Sequence, residues 1–225
     1  MCGSYGLGGY LHRGEEPDDA LPPLDQREAQ AAVAQWAREW CGKASTSRTR
    51  KDGRTNLHPL IVPDDDGREL AMAWWWLHRG GKPVEKNGFN ARDDALLSSW
   101  KSAFQRRALI PASWYAEGGQ VFRLPGGGQF GIAAITAPRT VDGGETISYS
   151  MVTREGVGEA ASVRTARGDS RMPLVLPREL HDTWLDPERP GDAELVDLVQ
   201  AASEEISRAM TTSAPPDEPA APTLF

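Results

Sequence analysis

A chain of 225 residues, 39% of them apolar, is long enough for one domain with a substantial core, and it has no run of about 18 apolar residues to cross a membrane as a helix. Two cysteines, Cys2 and Cys41, are too few for a disulfide framework, and with no signal-peptide pattern ahead of them free thiols in a cytoplasmic protein are expected. The net charge of −7 excludes a uniformly basic nucleic-acid binder, yet residues 177–225 alone carry −8, which leaves +1 for residues 1–176 and room for a local basic groove.

Met1-Cys2-Gly3 opens the chain. A small second residue allows removal of the initiator methionine, which uncovers a free α-amine and a thiol on adjacent carbons of Cys2. Their ordinary pKa values, roughly 7.7–8.0 and about 8.5, leave both partly nucleophilic at neutral pH. Such a 1,2-aminothiol suits carbonyl chemistry, either ring closure on an aldehyde or acyl transfer. The structural alternative is a small buried residue on a first strand.

Residues 2–7 read as that strand, opening into a turn rich in Gly6, Gly8 and Gly9. Residues 26–40 read as a helix: Asp25 caps it, Val33, Trp36, Ala37 and Trp40 share one face, and Gly42 stops it. Cys41 follows as a packed, inert thiol. After a basic loop over 43–52, residues 57–62 and 70–77 read as paired strands that end in Trp74-Trp75-Trp76. Side chains alternate along a strand, so three adjacent indoles do not share one face. At least one is expected at a surface or a ligand, stacked on an unpaired base or wedged against the first helix.

A glycine-rich loop leads to Phe89-Asn90-Ala91-Arg92, and Ala95, Leu96, Leu97, Trp100 and Phe104 have helical spacing over 93–104. A strand is predicted over 108–112. Four short runs, 113–117, 120–124, 130–135 and 147–153, are then separated by Gly-Gly, Gly-Gly-Gly and Asp-Gly-Gly turns, the pattern of an antiparallel meander. A strand over 172–176, a helix over 192–202 and a Pro/Ala-rich tail from 213, expected to be disordered, complete the chain.

The order of the motifs resembles the SRAP family, the SOS-response-associated proteins. The blocks are Met1-Cys2-Gly3, Asn56-Leu57-His58-Pro59, Phe89-Asn90-Ala91-Arg92, residues 106–112 with Glu117 six after Pro111, and Arg171-Met172-Pro173-Leu174-Val175-Leu176. The resemblance spans residues 1–212 if Ile206-Ser207-Arg208-Ala209 is the family's closing strand. It implies an α+β domain, mainly antiparallel sheet curled into an open barrel with flanking helices, ahead of a tail over 213–225. It also implies covalent capture of abasic sites in single-stranded DNA, a lyase- or peptidase-like class of chemistry with no metal or organic cofactor, and a monomer at the nucleoid.

By the same resemblance, Cys2 forms a thiazolidine with the opened sugar, Asn90 hydrogen-bonds that sugar and Glu117 moves protons. Arg92, Arg107 and Arg171 are implied phosphate contacts, and Pro59, Trp76 and Thr153 line the DNA surface. Each arginine is equally a plausible partner in a structural ion pair. Asp169 stands where the family has a histidine associated with β-elimination and crosslink reversal, so the resemblance does not extend to those steps, and Ser4 stands where it has an arginine, which removes one phosphate contact.

Two alternatives belong to other classes: a non-catalytic single-stranded-DNA-binding module of the same fold, and a glutamine amidotransferase with an N-terminal cysteine. The tail ends in Leu224-Phe225, which resembles the apolar pair of motifs that anchor repair proteins to the replication sliding clamp. The aminothiol requires that Met1 be gone. Intact mass spectrometry of the expressed protein is expected to show the chain lighter by one methionine, and a retained Met1 would leave the amine blocked.

Overall fold

The structure is a computed structural model that describes residues 4–7, 20–39, 57–65, 67–164 and 168–213. Strand β1 (Ser4–Gly6) is followed by helix α1 (Arg27–Glu39) and the hairpin of β2 (Leu57–Asp64) and β3 (Gly67–Trp75). A short hairpin, β4 (His78–Arg79) and β5 (Lys82–Pro83), leads to β6 (Asn90–Arg92). Next come β7 (Arg107–Ala112), β8 (Trp114–Glu117), β9 (Gln120–Arg123) and the long hairpin of β10 (Phe130–Val141) and β11 (Gly144–Glu155). The last described elements are β12 (Arg171–Pro173), β13 (Val175–Leu176), α2 (His181–Leu185), α3 (Ala193–Ala209) and β14 (Thr211–Ser213).

The fold is α+β. Strands β11, β3, β2, β7 and β10 pair in that order, and β10 pairs back to β11, so the ring is closed where an open barrel was expected. Five strands do not alternate direction all the way round, so one seam of such a ring is parallel. That seam is β3 against β11, through Trp74–Ser148 and Trp75–Tyr149, and every other pairing in the ring is antiparallel. The closure rests on the length of β10 and β11, whose register runs from Ala134–Met151 to Val141–Gly144 around the Asp142-Gly143 turn. The apolar runs at 130–135 and 147–153 mark only the buried parts of these strands.

The ring interior is filled by Leu60, Ala73, Trp75, Ala108, Ile110, Ile132, Ala134, Tyr149 and Met151, all fully buried. On the outer face, Trp184 of α2 and Leu195 and Val199 of α3 cover Leu109, Ala133, Ile135 and Val152. Burial of each of the larger aliphatic side chains here, such as Leu60, Ile110 and Ile135, contributes about 1.5–3 kcal/mol. The α3 N-terminus is capped by Asp192, whose carboxylate accepts from the Leu195 N–H at 3.0 Å. Helix α1 lays Val33 and Trp36 against Leu70 and Met72.

A second sheet, ordered β1-β8-β9-β14, contributes Tyr5, Tyr115 and Phe122 to the interior cluster. The barrel wall is continuous, so these side chains enter through one end, and this sheet caps it. Strand pairing runs through Ser213, opposite Val121, which extends ordered structure one residue into the expected tail.

Three local expectations are corrected. Residues 206–209 are the last turn of α3, and the closing strand is β14, pinned by the Thr212 N–H to Glu159 at 2.8 Å. Residues 93–104 are not an α-helix: single 3-10 turns at Asp93–Ala95 and Ala103–Gln105 flank irregular turns, with i to i+3 bonds such as Leu96 N–H to Asp93 O at 3.2 Å. All three indoles of the Trp74-Trp75-Trp76 run are buried. Trp75 fills the ring and donates to Phe89 O at 2.8 Å, the Arg139 guanidinium covers Trp74 at 4.4 Å, and residues 84–89 close over Trp76. Neighbouring elements cover both faces of the strand end. No helix among the described residues is long and apolar enough to cross a membrane.

His181 is 1% exposed at the start of α2, with Nε2 donating to Leu176 O at 3.1 Å. Burial pushes its pKa from 6.5 down to about 4, against the partial opposition of that hydrogen bond. Below pH 6.5 the unfolded chain takes up a proton that the folded chain refuses, so stability falls with pH until about 4. Urea unfolding at pH 7 and pH 5 is expected to show the wild type losing about 2 kcal/mol more than His181→Gln. Equal losses would contradict the assignment.

Candidate functional site

Glu117 is the last residue of β8, and the chain reverses after it in two residues. That turn requires Gly118 and Gly119 in the left-handed region, at φ +57° and +80°. A Cβ on Gly118 would also meet Val163 Cγ1 at 2.4 Å. Glu117 is 7% exposed, and by alternation along β8 it shares a face with Tyr115, which lies in the interior cluster. Strand β1 runs antiparallel to β8 with Ser4 opposite Ala116 and Tyr5 opposite Tyr115. The first described residue of the chain therefore stands across from the neighbour of Glu117. Cys2 lies outside the described residues, as do Leu224 and Phe225.

Asn90 reaches the same end of the barrel from another direction. Strand β6 pairs in parallel with β11, placing Asn90 beside Met151 and Arg92 beside Thr153. Met151 points into the interior, so Asn90 does too, and it is 4% exposed. Its approach is fixed by Asn90 N–H to Asn87 O at 3.1 Å and Leu77 N–H to Gly88 O at 2.7 Å. Residue 88 is glycine for a steric reason: a Cβ there would sit 2.3 Å from Trp76 Nε1. Trp76 is thus the plate on which the Asn90 loop rests, rather than an exposed stacking surface.

Between these two approaches lies an aromatic enclosure whose two tyrosines, Tyr5 and Tyr149, the sequence motifs did not single out. The Tyr5 and Tyr149 hydroxyls share a short hydrogen bond, and Trp75 stacks parallel to Tyr149 at 6.3 Å. Burial, and then the neighbouring Tyr5, push the Tyr149 phenol well above its ordinary range. The buried His58 ring lies 6.0 Å from Tyr5, 6.0 Å from Trp75 and 5.8 Å from Trp36. The alternation of His58, Leu60 and Val62 toward the ring interior is the signal that marks His58 in the sequence.

The implied DNA contacts divide into two groups. Arg92 is exposed and holds Asp94 through two bonds of 2.9 and 2.5 Å. That pairing raises the Arg92 pKa and lowers that of Asp94, and the half-buried Asp169 adds to the field on Arg92. Arg107, by contrast, is turned inward: its guanidinium donates to the carbonyls of Phe104, Trp184, Asp186 and Arg189 at 2.6 to 3.0 Å, and burial lowers its pKa. Arg171 is 6% exposed and donates to Asp93 at 3.0 Å and to Thr153. Gln200 of α3 satisfies the other Asp93 oxygen at 2.8 Å. Thr153 and Pro59 are themselves buried. Both Arg107 and Arg171 thus direct donors to carbonyl, hydroxyl and carboxylate acceptors on the inside of the fold.

The described residues form a closed α+β barrel whose capped end holds a buried carboxyl, a buried amide and an aromatic lining. The profile of the SOS response associated peptidase (SRAP) family matches residues 23–214, and the chain belongs to that family. The Met1-Cys2-Gly3 block lies outside the matched range. The family supports a role in the DNA damage response. Among solved structures, a protein of Bordetella bronchiseptica shares 18% identity over 96% of this chain and 100% of its own, with a TM-score of 0.61. A protein of Bacteroides thetaiotaomicron shares 21% identity over 64% of this chain and 68% of its own, with a TM-score of 0.52. A phage-related protein of Bordetella bronchiseptica shares 21% identity over 71% and 79%, with a TM-score of 0.50. At these identities the likeness is one of fold. No curated protein matches the chain.

Replacing Arg171 by methionine strands the Asp93 carboxylate in a buried site with Gln200 as its remaining side-chain donor. Urea unfolding is expected to show a loss of about 3–5 kcal/mol, partly recovered by adding Asp93→Asn. A loss below about 1 kcal/mol would mean that the pair is not held as described.

Proposed function

We propose that this protein captures abasic sites in single-stranded DNA through Cys2. The observation that carries this reading is the register of β1 on β8, because Ser4, two residues beyond Cys2, lies opposite the neighbour of the buried Glu117. The amine adds to the ring-opened sugar aldehyde, the C=O oxygen leaves as water after protonation, and the thiol adds to the resulting imine carbon. One C–N and one C–S bond form, and the product is a five-membered thiazolidine. Glu117 takes the proton from the attacking nitrogen and returns it to the departing hydroxyl. Asn90 hydrogen-bonds the opened sugar. With Asp169 in place of the family histidine, the adduct persists instead of proceeding to β-elimination.

That same substitution, together with Ser4, favours a second reading in which the fold binds single-stranded DNA without covalent chemistry. Mixing the protein with abasic single-stranded DNA and running a denaturing gel separates the two. A heat-stable adduct is expected, absent in Cys2→Ala and slowed by roughly 10²-fold in Glu117→Gln. A shift that appears only on a native gel would leave the non-covalent module, and hydrolysis of glutamine would point instead to an amidotransferase.

A further inference from the structure

The segment that leads into Asn90 carries an excess of basic side chains. Residues 78–107 hold seven Lys or Arg against three Asp or Glu, a local charge of +4 within a total of −7. Arg107 is buried and Arg92 is matched by Asp94, while Arg79, Lys82 and Lys86 are exposed, with Glu85 the only acid between positions 78 and 92.

Arg79 and Lys82 occupy directly opposed positions of the β4–β5 ladder. Like charges placed so work against a hairpin, and this one is held by other contacts. Val84 N–H donates to Leu77 O at 2.9 Å and Trp76 Nε1–H to Val84 O at 2.7 Å, while Arg79 lies 5.8 Å over the Trp100 ring and donates to Ser99 O at 2.7 Å. The result is a fixed edge that keeps two cations side by side in solvent, with a third at Lys86. The hydrogen bonds that fix it continue into the loop that delivers Asn90.

We propose that the β4–β5 hairpin and Lys86 hold the sugar-phosphate backbone of a single strand of nucleic acid beside the Asn90–Glu117 site. They take the part that the inward-turned Arg107 and Arg171 do not play. The proposal rests on the reading that a DNA strand is the substrate. Its physical basis is charge complementarity: an exposed lysine neutralises a phosphate and releases condensed counterions, whatever the base sequence.

Fluorescence anisotropy with an undamaged single-stranded oligonucleotide, titrated over a range of KCl concentrations, tests the surface apart from the chemistry. The Lys82→Gln/Lys86→Gln variant is expected to flatten the slope of log affinity against log salt by about 1.4 and to weaken low-salt binding by about tenfold for any sequence. Arg208→Gln, which removes an exposed charge from the last turn of α3, is expected to change neither. A wild-type slope in the double variant would overturn the proposal, and so would an equal loss in Arg208→Gln, which would make the effect one of net charge. A denaturing gel with abasic DNA keeps the two ideas separable. Lysine-dependent binding without an adduct would sink the capture reading alone, and an adduct with lysine-independent binding would sink this one alone.

Discussion

The twelve residues of β11 pair with β10 on one edge and with β3 and β6 on the other, and beyond Met151 β12 takes the place of β10. Nearly everything at the capped end is positioned from this strand. Tyr149 faces Tyr5 and Trp75, Met151 sets the depth of Asn90, and Thr153 lies between Arg92 of β6 and Pro173 of β12. Because side chains repeat every second residue, a one-residue slip of β6 on β11 would turn Asn90 out of the barrel and bring Ala91 in. The register is held by the buried Ala91 and Met151 and by the bonds that fix residues 84–90 to the end of β3.

The arginines show how the same side chain serves two ends. A guanidinium is planar, always charged and carries five donors, so it is stable inside a protein only where acceptors are dense. Arg107 meets four carbonyls from the turn at 104 and from the segment around α2, and Arg171 meets a carboxylate and a threonine. Both join elements distant in the chain: Arg107 ties β7 to residues 184–189, and Arg171 ties β12 to Asp93 and, through it, to Gln200 of α3. Lysines keep a strongly hydrated point charge and stay outside, where the exposed Lys82 and Lys86 are found.

Much of the fold was legible in the sequence. The glycine pairs after Glu117 and Val141 gave the hairpins, and the spacing of Val33 and Trp36 gave α1. The five ordered blocks named the family and put Asn90 and Glu117 forward together. The closed ring was not legible, because the ends of β10 and β11 around the Asp142-Gly143 turn, residues 136–141 and 144–146, are mostly polar or exposed and carry no apolar alternation. The irregular path of residues 93–105 was hidden by correct apolar spacing; Leu96, Trp100 and Phe104 are indeed buried, but Asp93 is drawn inward by Arg171 from 78 residues away. The inward turn of Arg107 and the cover over the three indoles likewise depend on partners far along the chain, and local pattern carries no information about them. His58 was visible as a residue, but its aromatic enclosure is built from α1, β1 and β3 and exists only once they meet.

The parallel seam between β3 and β11 has a consequence for how the chain is made. Its two strands are separated by all of residues 76–143, so the barrel stays an open sheet, with Trp75 and Ile110 uncovered, until β11 has left the ribosome. Contacts at such sequence distance form late and slowly. A nascent chain halted before Gly144 would display the apolar inner face of four strands, the kind of exposed surface through which incomplete chains associate.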